Sequence, residues 1–240
     1  MAIAPPDSAL IDKVVYANRI LYDQGVVDGL GHVSVRHDSA PDVFLLSCNR
    51  APGLVQRADI LCYDLDGNTV SPTTERSYLE RFIHGEIYRA RPDVVAVVHS
   101  HSPSVIPFGA TGNRLRPIFH MAGFLGSGST IFDIRDVAGD TDMLVRNGEL
   151  GKALAQSLGK CSCVLMRGHG STVVGNSIEQ AVYRAIFAEV NAKLQAQALG
   201  MGQVTYLTPK EADLAAAAND TQIGRSWELW RRRIGPIDAA

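Results

Sequence analysis

Two histidines separated by one residue stand at the end of an apolar run, and their spacing suits a metal ion. The run 94–98 (VVAVV) leads directly into His99, Ser100 and His101. Side chains alternate between the two faces of a strand, so His99 and His101 are expected to point to the same face. Two imidazoles on one face can provide two ligands to the same divalent cation.

A third histidine lies between two glycines, in the segment Gly168-His169-Gly170. Catalytic metal sites commonly take three protein ligands and keep a position open for water or substrate. Flanking glycines let the backbone come close and leave the imidazole unshielded. We therefore predict that His99, His101 and His169 form one metal site. The alternative is that each is a hydrogen-bonded structural histidine.

One carboxylate and one further histidine precede the first pair, at Glu80 and His84. Residues four apart on a helix lie on the same face, one turn from each other. Glu80 is then a candidate acid/base or fourth ligand, and the alternative is a solvated surface charge. His84 is predicted to pack behind the site.

Hydrophobic periodicity and turn residues predict the elements that must position these side chains. The first helix has Asp7 or Ser8 as N-cap and ends at Gly25. A later helix has Ser177 as N-cap, with Gln180 completing a capping box. Closely spaced strands and turns in the first third predict a largely antiparallel sheet. The predicted strands span 32–36, 43–47, 60–65, 94–99, 116–120, 163–166 and 171–174, and the later helices span 76–90, 148–158, 177–199 and 210–218.

Composition and charge argue against several classes of function. The 240 residues carry a formal net charge of -2, with a pI of about 6.4 and no basic stripe. No nucleic acid and no membrane is therefore expected as partner. The chain shows no signal peptide and no apolar run long enough to span a membrane. We expect a cytoplasmic protein with one domain, residues 1–240, in which 200–240 is a helical tail. Four cysteines without a CxxC pair are predicted to be reduced core thiols, namely Cys48, Cys62, Cys161 and Cys163.

These motifs together resemble the class II aldolase/adducin family. The resemblance rests on Glu80 and the helical segment after it, on VVHSH at 97–101 and on RGHG at 167–170, and it covers residues 10–200. It implies an α/β fold, a three-layer α/β/α sandwich around a mainly antiparallel, mixed sheet. It also implies a homotetramer with sites between subunits. In that family three histidines bind one divalent metal ion, and a glutamate is a displaceable ligand or catalytic acid/base; the matching residues are His99, His101, His169 and Glu80.

The residues expected to hold the substrate differ from those of a sugar-phosphate aldolase. His32 and Arg50 stand where small residues would form a phosphate cradle, and the loop from Ser47 (SCNRAP) offers none. The glycine-rich stretch 123–134 has no GxGxxG or P-loop pattern, so we interpret it as an active-site loop. An imidazole and a guanidinium suit a planar carboxylate. The alternatives are a structural histidine and an ordinary loop cation. Ser47 and His120, which precedes the glycine-rich stretch, are further candidates for substrate binding.

This pattern resembles the decarboxylase branch of the family, which acts on hydroxypyridine dicarboxylates and dihydroxyphthalates. We predict a divalent-metal-dependent decarboxylase of a hydroxylated aromatic or pyridine carboxylate or dicarboxylate, which removes the carboxylate ortho to a hydroxyl. The alternative is a class II aldolase or epimerase acting on a small hydroxy-carbonyl compound. A non-catalytic, adducin-like scaffold is disfavoured because all three histidines are present.

The expected metal is Mn²⁺ by resemblance, with Zn²⁺ or Co²⁺ as alternatives. Glu80, or a water that it positions, would supply the proton that replaces CO₂, and burial is expected to raise the pKa of Glu80. Trp227 and Trp230 lie at helical spacing and predict a docking helix. Alternatively, these tryptophans or Tyr206 reach a neighbouring subunit's active site.

Overall fold

The computed structural model describes residues 3–237, and a mixed sheet of seven strands lies at the centre of these residues. The strands are β1 (His32–Arg36), β2 (Val43–Ser47), β3 (Ile60–Asp64), β4 (Ala96–Ser100), β5 (Thr130–Phe132), β6 (Cys163–Met166) and β7 (Gly170–Gly175). They lie in the order β3-β2-β1-β4-β7-β6-β5. Neighbouring strands are antiparallel, except that β5 and β6 are parallel.

Helices cover both faces of the sheet. The helices are α1 (Ser8–Asp23), α2 (Arg81–Ala90), α3 (Ile106–Ala110), α4 (Arg135–Ala138), α5 (Gly148–Leu158), α6 (Ile178–Met201), α7 (Pro209–Asp220) and α8 (Ile223–Ile234). Apolar residues of α1, α6 and α8 share one core with the sheet, and those of α2 and α5 share a second core. The predicted α/β/α sandwich around a mainly antiparallel sheet is confirmed.

The central strand β4 serves both cores because its side chains alternate between faces. Ala96 and Val98 belong to the core of α1 and α6, whereas Val97 belongs to the core of α2 and α5. His99 follows Val97 on the same face, which is the face that α2 covers. A continuous apolar run is what a strand buried on both sides requires.

The predicted strand at residues 116–120 is wrong, although its backbone is bonded much as a strand would be. Side-chain amides of α6 replace a neighbouring strand: Gln195 Oε1 accepts from the backbone N–H of Arg116 (2.9 Å), and Asn191 Oδ1 accepts from that of Ile118 (3.1 Å). A short 3₁₀ helix, His120–Leu125, leads into the glycine-rich stretch 123–134. This stretch also contains the edge strand β5, which the sequence does not predict.

One predicted helix start and one predicted capping box need correction. Helix α2 begins at Arg81 rather than at residue 76, so Glu80 is its N-cap and does not lie within the helix as predicted. Helix α6 has Ser177 as N-cap, whose side chain accepts from the N–H of Gln180 as predicted. The Gln180 side chain, however, accepts from the N–H of Asn176 (2.8 Å), one residue before the cap.

The segment after α6 contains two helices that pack back onto the chain. Trp227 and Trp230 of α8 are buried in the core that α1 and α6 share, which fits the predicted docking helix. Tyr206 is half-buried, and its hydroxyl accepts from Gln195 Nε2 at 3.2 Å. Within residues 3–237, none of these helices is both long enough and apolar enough to cross a membrane. All four cysteines are free thiols.

Candidate metal centre

Four side chains predicted to act together lie together at one end of the sheet. One ligand atom from each of Glu80, His99, His101 and His169 falls within 4.8 Å of the others, so the group could hold a metal ion. The Nε2 atom of His101 lies 3.2 Å from that of His99 and 3.0 Å from that of His169. Glu80 Oε2 lies 3.5 Å from His99 Nε2 and 3.4 Å from His169 Nε2.

Adjacent strands of the sheet bring these histidines together. His99 lies in β4 and faces Thr172 of β7, whereas His169 lies in the turn that joins β6 to β7. Gly170 allows this close approach, because a Cβ there would collide with the carbonyl oxygen of Ser100. Gly168 has a φ of +63°, a left-handed conformation that glycine adopts without strain.

Backbone carbonyls orient two of the histidines toward a cation. His99 Nδ1 lies 3.2 Å from the carbonyl oxygen of Ser171, and His169 Nδ1 lies 2.9 Å from that of Met143. A carbonyl oxygen can only accept, so each Nδ1 carries the hydrogen and each Nε2 keeps a lone pair. Lone pairs that converge with a carboxylate repel one another unless a proton or a metal ion lies among them, and carbonyl-anchored histidines are typical metal ligands.

The separations between the ligand atoms fit one metal ion. Ligand atoms about 2.1 Å from a common cation are about 3.0 Å apart at right-angle positions and about 3.4 Å apart in a tetrahedron. The four separations given above, 3.0 to 3.5 Å, match that range. The residues present therefore fit the divalent cation that the sequence predicts.

The two carboxylate oxygens of Glu80 have different partners. Its Oε1 accepts a hydrogen bond from the N–H of Val145 (2.9 Å), while Oε2 faces His99 and His169. Burial acts to raise the pKa of Glu80, but the neighbouring imidazoles of His169 and His99 outweigh it and hold this pKa well below its usual range. This direction is opposite to the predicted rise in the pKa of Glu80, and it favours an ionised carboxylate.

A loop that sequence reasoning missed supports both Glu80 and His169. Met143 has a φ of +70°, the one left-handed conformation of a non-glycine residue among the described residues. In this conformation the Met143 carbonyl reaches His169, and two residues later the Val145 N–H reaches Glu80. Met143 costs about 1–2 kcal/mol in this region of φ, which surrounding contacts must offset.

A cavity of about 330 Å³ is lined by two of the four side chains, Glu80 and His101. Leucines form much of its wall, and no lysine or arginine is among the described residues that line it. Its lining residues are Leu30, Gly31, His32, Asn49, Tyr78, Leu79, Glu80, His101 and Leu144. Leu30 and Leu79 are 63% and 56% exposed, so they present apolar surface at the cavity rather than in the core. Such a wall suits a flat apolar ring better than a phosphate.

His32 is at the cavity, and the structure gives it the properties of a neutral group. It lies opposite His99 in the pairing of β1 with β4, with ring centroids 5.0 Å apart. Its Nδ1 lies 2.6 Å from Nε2 of the buried His84. Burial lowers the pKa of His32 well below its usual value and lowers that of His84 to about 3. A neutral His32 does not supply the charge expected for binding a carboxylate, whereas His84 packs behind the site as predicted.

The other predicted substrate-binding residues do not line this cavity. Arg50 Nε lies 3.3 Å from Asp59 Oδ2, so its guanidinium is paired away from the four-residue group. Ser47 is buried, and its hydroxyl lies 3.1 Å from the hydroxyl of Tyr78, a wall residue. His120 is exposed, and its backbone carbonyl accepts from Asn219.

Sequence reasoning missed most of the cavity wall. Tyr78 and Leu79 directly precede Glu80, and their nearness in sequence was the available signal. Leu30 and Leu144 lie in loops with no periodic pattern, so nothing marked them. Trp227 and Trp230 are buried in the chain's own core, and Tyr206 packs under Arg116, with 4.0 Å from the Arg116 guanidinium carbon to its ring centroid.

The sequence is similar to a known protein family and to several characterised relatives. Residues 12–196 match the model of the "Class II Aldolase and Adducin N-terminal domain". The chain is 38% identical to "Decarboxylase tropJ" of Talaromyces stipitatus, over 95% of each chain. It is 33% identical to "3,4-dihydroxyphthalate decarboxylase" of Arthrobacter keyseri, over 95% of this chain and 94% of the relative.

Solved structures show the same fold. An aldolase II superfamily protein from Pseudomonas syringae superimposes with a TM-score of 0.81 at 22% identity, over 97% of this chain and 94% of that one. The L-fuculose 1-phosphate aldolase of Glaciozyma antarctica superimposes with a TM-score of 0.78 at 21% identity, over 98% and 96%.

Proposed function

This chain belongs to the class II aldolase and adducin family, and from that premise we propose that it is a divalent-metal-dependent decarboxylase. Its substrate is a hydroxylated aromatic or pyridine carboxylate, and the carboxylate ortho to a hydroxyl is removed. The observation that carries this proposal is the leucine-walled cavity beside Glu80 and His101, whose described lining includes no lysine or arginine. Two relatives over 30% identical carry the name decarboxylase, which supports the same choice.

The proposed ligands of the cation are His99, His101 and His169, with Glu80 at the edge of the group. A bound divalent cation supplies a Lewis acid that stabilises negative charge on oxygen as the carbon–carbon bond breaks. Mn²⁺ is the proposed metal, with Zn²⁺ or Co²⁺ as alternatives, because imidazole and carboxylate ligands accept all three. We also propose that the protein assembles as a homotetramer.

Glu80 is proposed to move one proton. In the ionised form of Glu80, Oε2 accepts the hydrogen of the ortho hydroxyl when the substrate enters. The bond between the ring and the carboxylate then breaks, its electron pair stays on the ring, and CO₂ leaves. Glu80 returns the proton to the ring carbon, and the product oxygen takes a proton from water on release. The hydrogen bond from Val145 keeps Oε1 out of this exchange, so the proton is held at Oε2.

The cavity wall is proposed to orient the ring. Leu30, Leu79 and Leu144 offer apolar surface, and Tyr78 lies with its ring centroid 4.6 Å from that of His32. A sugar phosphate would need a cradle of N–H groups or a cation. The aldolase alternative uses the same ligands at the metal, so only the substrate-binding wall separates the two reactions.

Measuring both reactions on the same metal-loaded protein tests this proposal. CO₂ release is followed from a panel of ortho-hydroxy aromatic and pyridine carboxylic acids, and aldehyde release from hydroxy-carbonyl and sugar-phosphate substrates. We expect CO₂ from at least one acid that carries the ortho hydroxyl, and none from the matching acid without it. Aldol cleavage with no CO₂ release from any acid would overturn the proposal.

A further inference from the structure

A chain of buried hydrogen bonds leads from the cavity to a backbone carbonyl. His32 Nδ1 lies 2.6 Å from His84 Nε2, and His84 Nδ1 lies 2.6 Å from Ser34 Oγ. Ser34 Oγ lies 2.7 Å from the Tyr88 hydroxyl, which donates to the carbonyl oxygen of Val95 at 3.3 Å. All four side chains are buried, so water does not interrupt the chain.

The hydrogens in this series of hydrogen bonds can be arranged in two ways, because each neutral side chain contributes one hydrogen. Every donor points either toward Val95 or toward the cavity. If they run from His32 toward Val95, four hydrogen bonds form inside the protein. If they run toward the cavity, only three form, because the hydrogen on His32 Nε2 then leaves the chain. Buried polar networks favour the arrangement that satisfies more groups. The hydrogens therefore run from His32 to Val95, and His32 Nε2 carries a lone pair.

This lone pair faces the cavity. His32 lines the cavity together with Glu80 and His101, and its Nε2 makes no hydrogen bond to the described residues. The imidazole ring also stands beside the ring of His99, at a centroid distance of 5.0 Å. A group that meets His32 Nε2 is thus adjacent to a group at the proposed metal ligands.

We propose that His32 Nε2 accepts a hydrogen bond from a second hydroxyl of the substrate, on the ring carbon next to the one with the ortho hydroxyl. This inference rests on the proposed function and narrows its substrate to acids with two neighbouring hydroxyls. A neutral acceptor attracts a hydroxyl hydrogen, and it repels the lone pairs of a carboxylate, a carbonyl or an ether. His84, Ser34 and Tyr88 are positioning residues, since they act by fixing which nitrogen of His32 carries the hydrogen.

Binding of three benzoic acids to the metal-loaded protein tests the recognition. The first carries two neighbouring hydroxyls that start ortho to the carboxylate, the second lacks the outer hydroxyl, and the third has it methylated. We expect the first acid to bind about five- to tenfold more tightly than the second, the contribution of one hydrogen bond. The methyl ether is expected to bind no more tightly than the second acid. Tighter binding of the ether than of the dihydroxy acid would overturn the proposal.

Replacing Tyr88 by Phe should reverse the direction of the chain. Without the Tyr88 oxygen, His84 Nδ1 is the one hydrogen-bond partner left for the Ser34 hydroxyl among the described residues, so His84 Nε2 then donates to His32. His32 Nε2 would carry a hydrogen, and the preference for a hydroxyl over an ether should shrink or invert. Tyr63→Phe is the matched control, because Tyr63 is also buried against Phe44 and its hydroxyl donates to Ser77, outside this chain.

Nitrogen-15 NMR of histidine-labelled, metal-free protein shows which imidazole nitrogens carry a hydrogen, and it does not depend on catalytic activity. In the wild type and in Tyr63→Phe, His32 Nε2 should show the shift of an unprotonated nitrogen, and in Tyr88→Phe that of a protonated one. A protonated Nε2 in the wild type would refute the assigned direction. If no acid releases CO₂, the proposed function fails, yet the NMR and binding results still decide this inference.

Discussion

The backbone N–H of Val145 donates to Oε1 of Glu80 over 2.9 Å, and this bond determines what Glu80 can do. It occupies one carboxylate oxygen and turns the other toward His99 and His169. A loop residue far from Glu80 in sequence thus fixes the orientation of the proposed acid/base. The four-residue group depends on this loop as much as on the strands that carry its histidines.

Exchanging Glu80 for Gln should separate metal binding from turnover. Glu80→Gln keeps the three imidazoles, so bound metal should remain stoichiometric, whereas kcat should fall at least about a hundredfold because an amide cannot carry the proton. Metal analysis and CO₂ release measure the two effects. Glu75→Gln changes an exposed carboxylate in the same segment and should behave like the wild type. Full activity of Glu80→Gln would remove Glu80 from the mechanism.

Removing single histidines should abolish the stabilisation that a metal provides. Added Mn²⁺ or Zn²⁺ at a hundred times its Kd should stabilise the wild type by about 2.7 kcal/mol, because the ion binds only the folded state. His99→Ala and His169→Ala should lose this effect and their stoichiometric metal. His120→Ala removes an exposed histidine outside the group and should keep both. Unchanged metal content in His99→Ala and His169→Ala would refute the ligand assignment.

The left-handed backbone at Met143 should tolerate Asn and reject Val. Asn adopts this conformation more readily than most residues, whereas a β-branched side chain is strained there. Met143→Val should lower Tm by about 3–6 °C and weaken metal binding, because His169 and Glu80 lose their backbone partners. Met143→Asn also lacks the thioether and should stay close to the wild type. Equal losses in both variants would show that the side chain matters rather than the backbone.

Polar substitution of the cavity wall should weaken substrate binding without unfolding the protein. Leu79 is 56% exposed at the cavity, so Leu79→Asn should change Tm little. Its KM for an aromatic acid should rise about fivefold, the effect of losing roughly 1 kcal/mol of apolar contact. Leu214→Asn alters a similarly exposed leucine of α7 outside the cavity and provides the control. A matching rise in KM for Leu214→Asn would contradict the proposed wall.

Replacing Arg50 should change substrate binding and stability only slightly, in contrast to the cavity-wall leucine. Its guanidinium pairs with Asp59 rather than lining the cavity, so Arg50→Ala should leave KM for an aromatic acid within about twofold of the wild type. The half-exposed ion pair should contribute only about 0–1 kcal/mol to stability. Steady-state kinetics and a thermal melt measure both. A tenfold rise in KM would instead return Arg50 to substrate binding, as the sequence predicts.

The sequence predicts the three histidines of the group from local signals, since period-two alternation places His99 and His101 and the flanking glycines mark His169. The role of Glu80 follows only from the family resemblance, because the helix predicted to carry it begins one residue later. The support from Met143 and Val145 is invisible in sequence, because it uses backbone groups that every residue possesses. Residues 116–120 were misread as a strand for a related reason, since side chains of α6 satisfy a backbone that looks extended.

The pairing of β1 with β4 sets His32 opposite His99, and β4 in turn sets His99 opposite Thr172 of β7. A slip of one residue in β4 would turn His99 and His101 to the far face, into the core of α1 and α6. Misfolded molecules with that error would be catalytically silent even if they were compact. The specific activity of a purified sample therefore also reports the fraction of molecules in which β4 has the correct register.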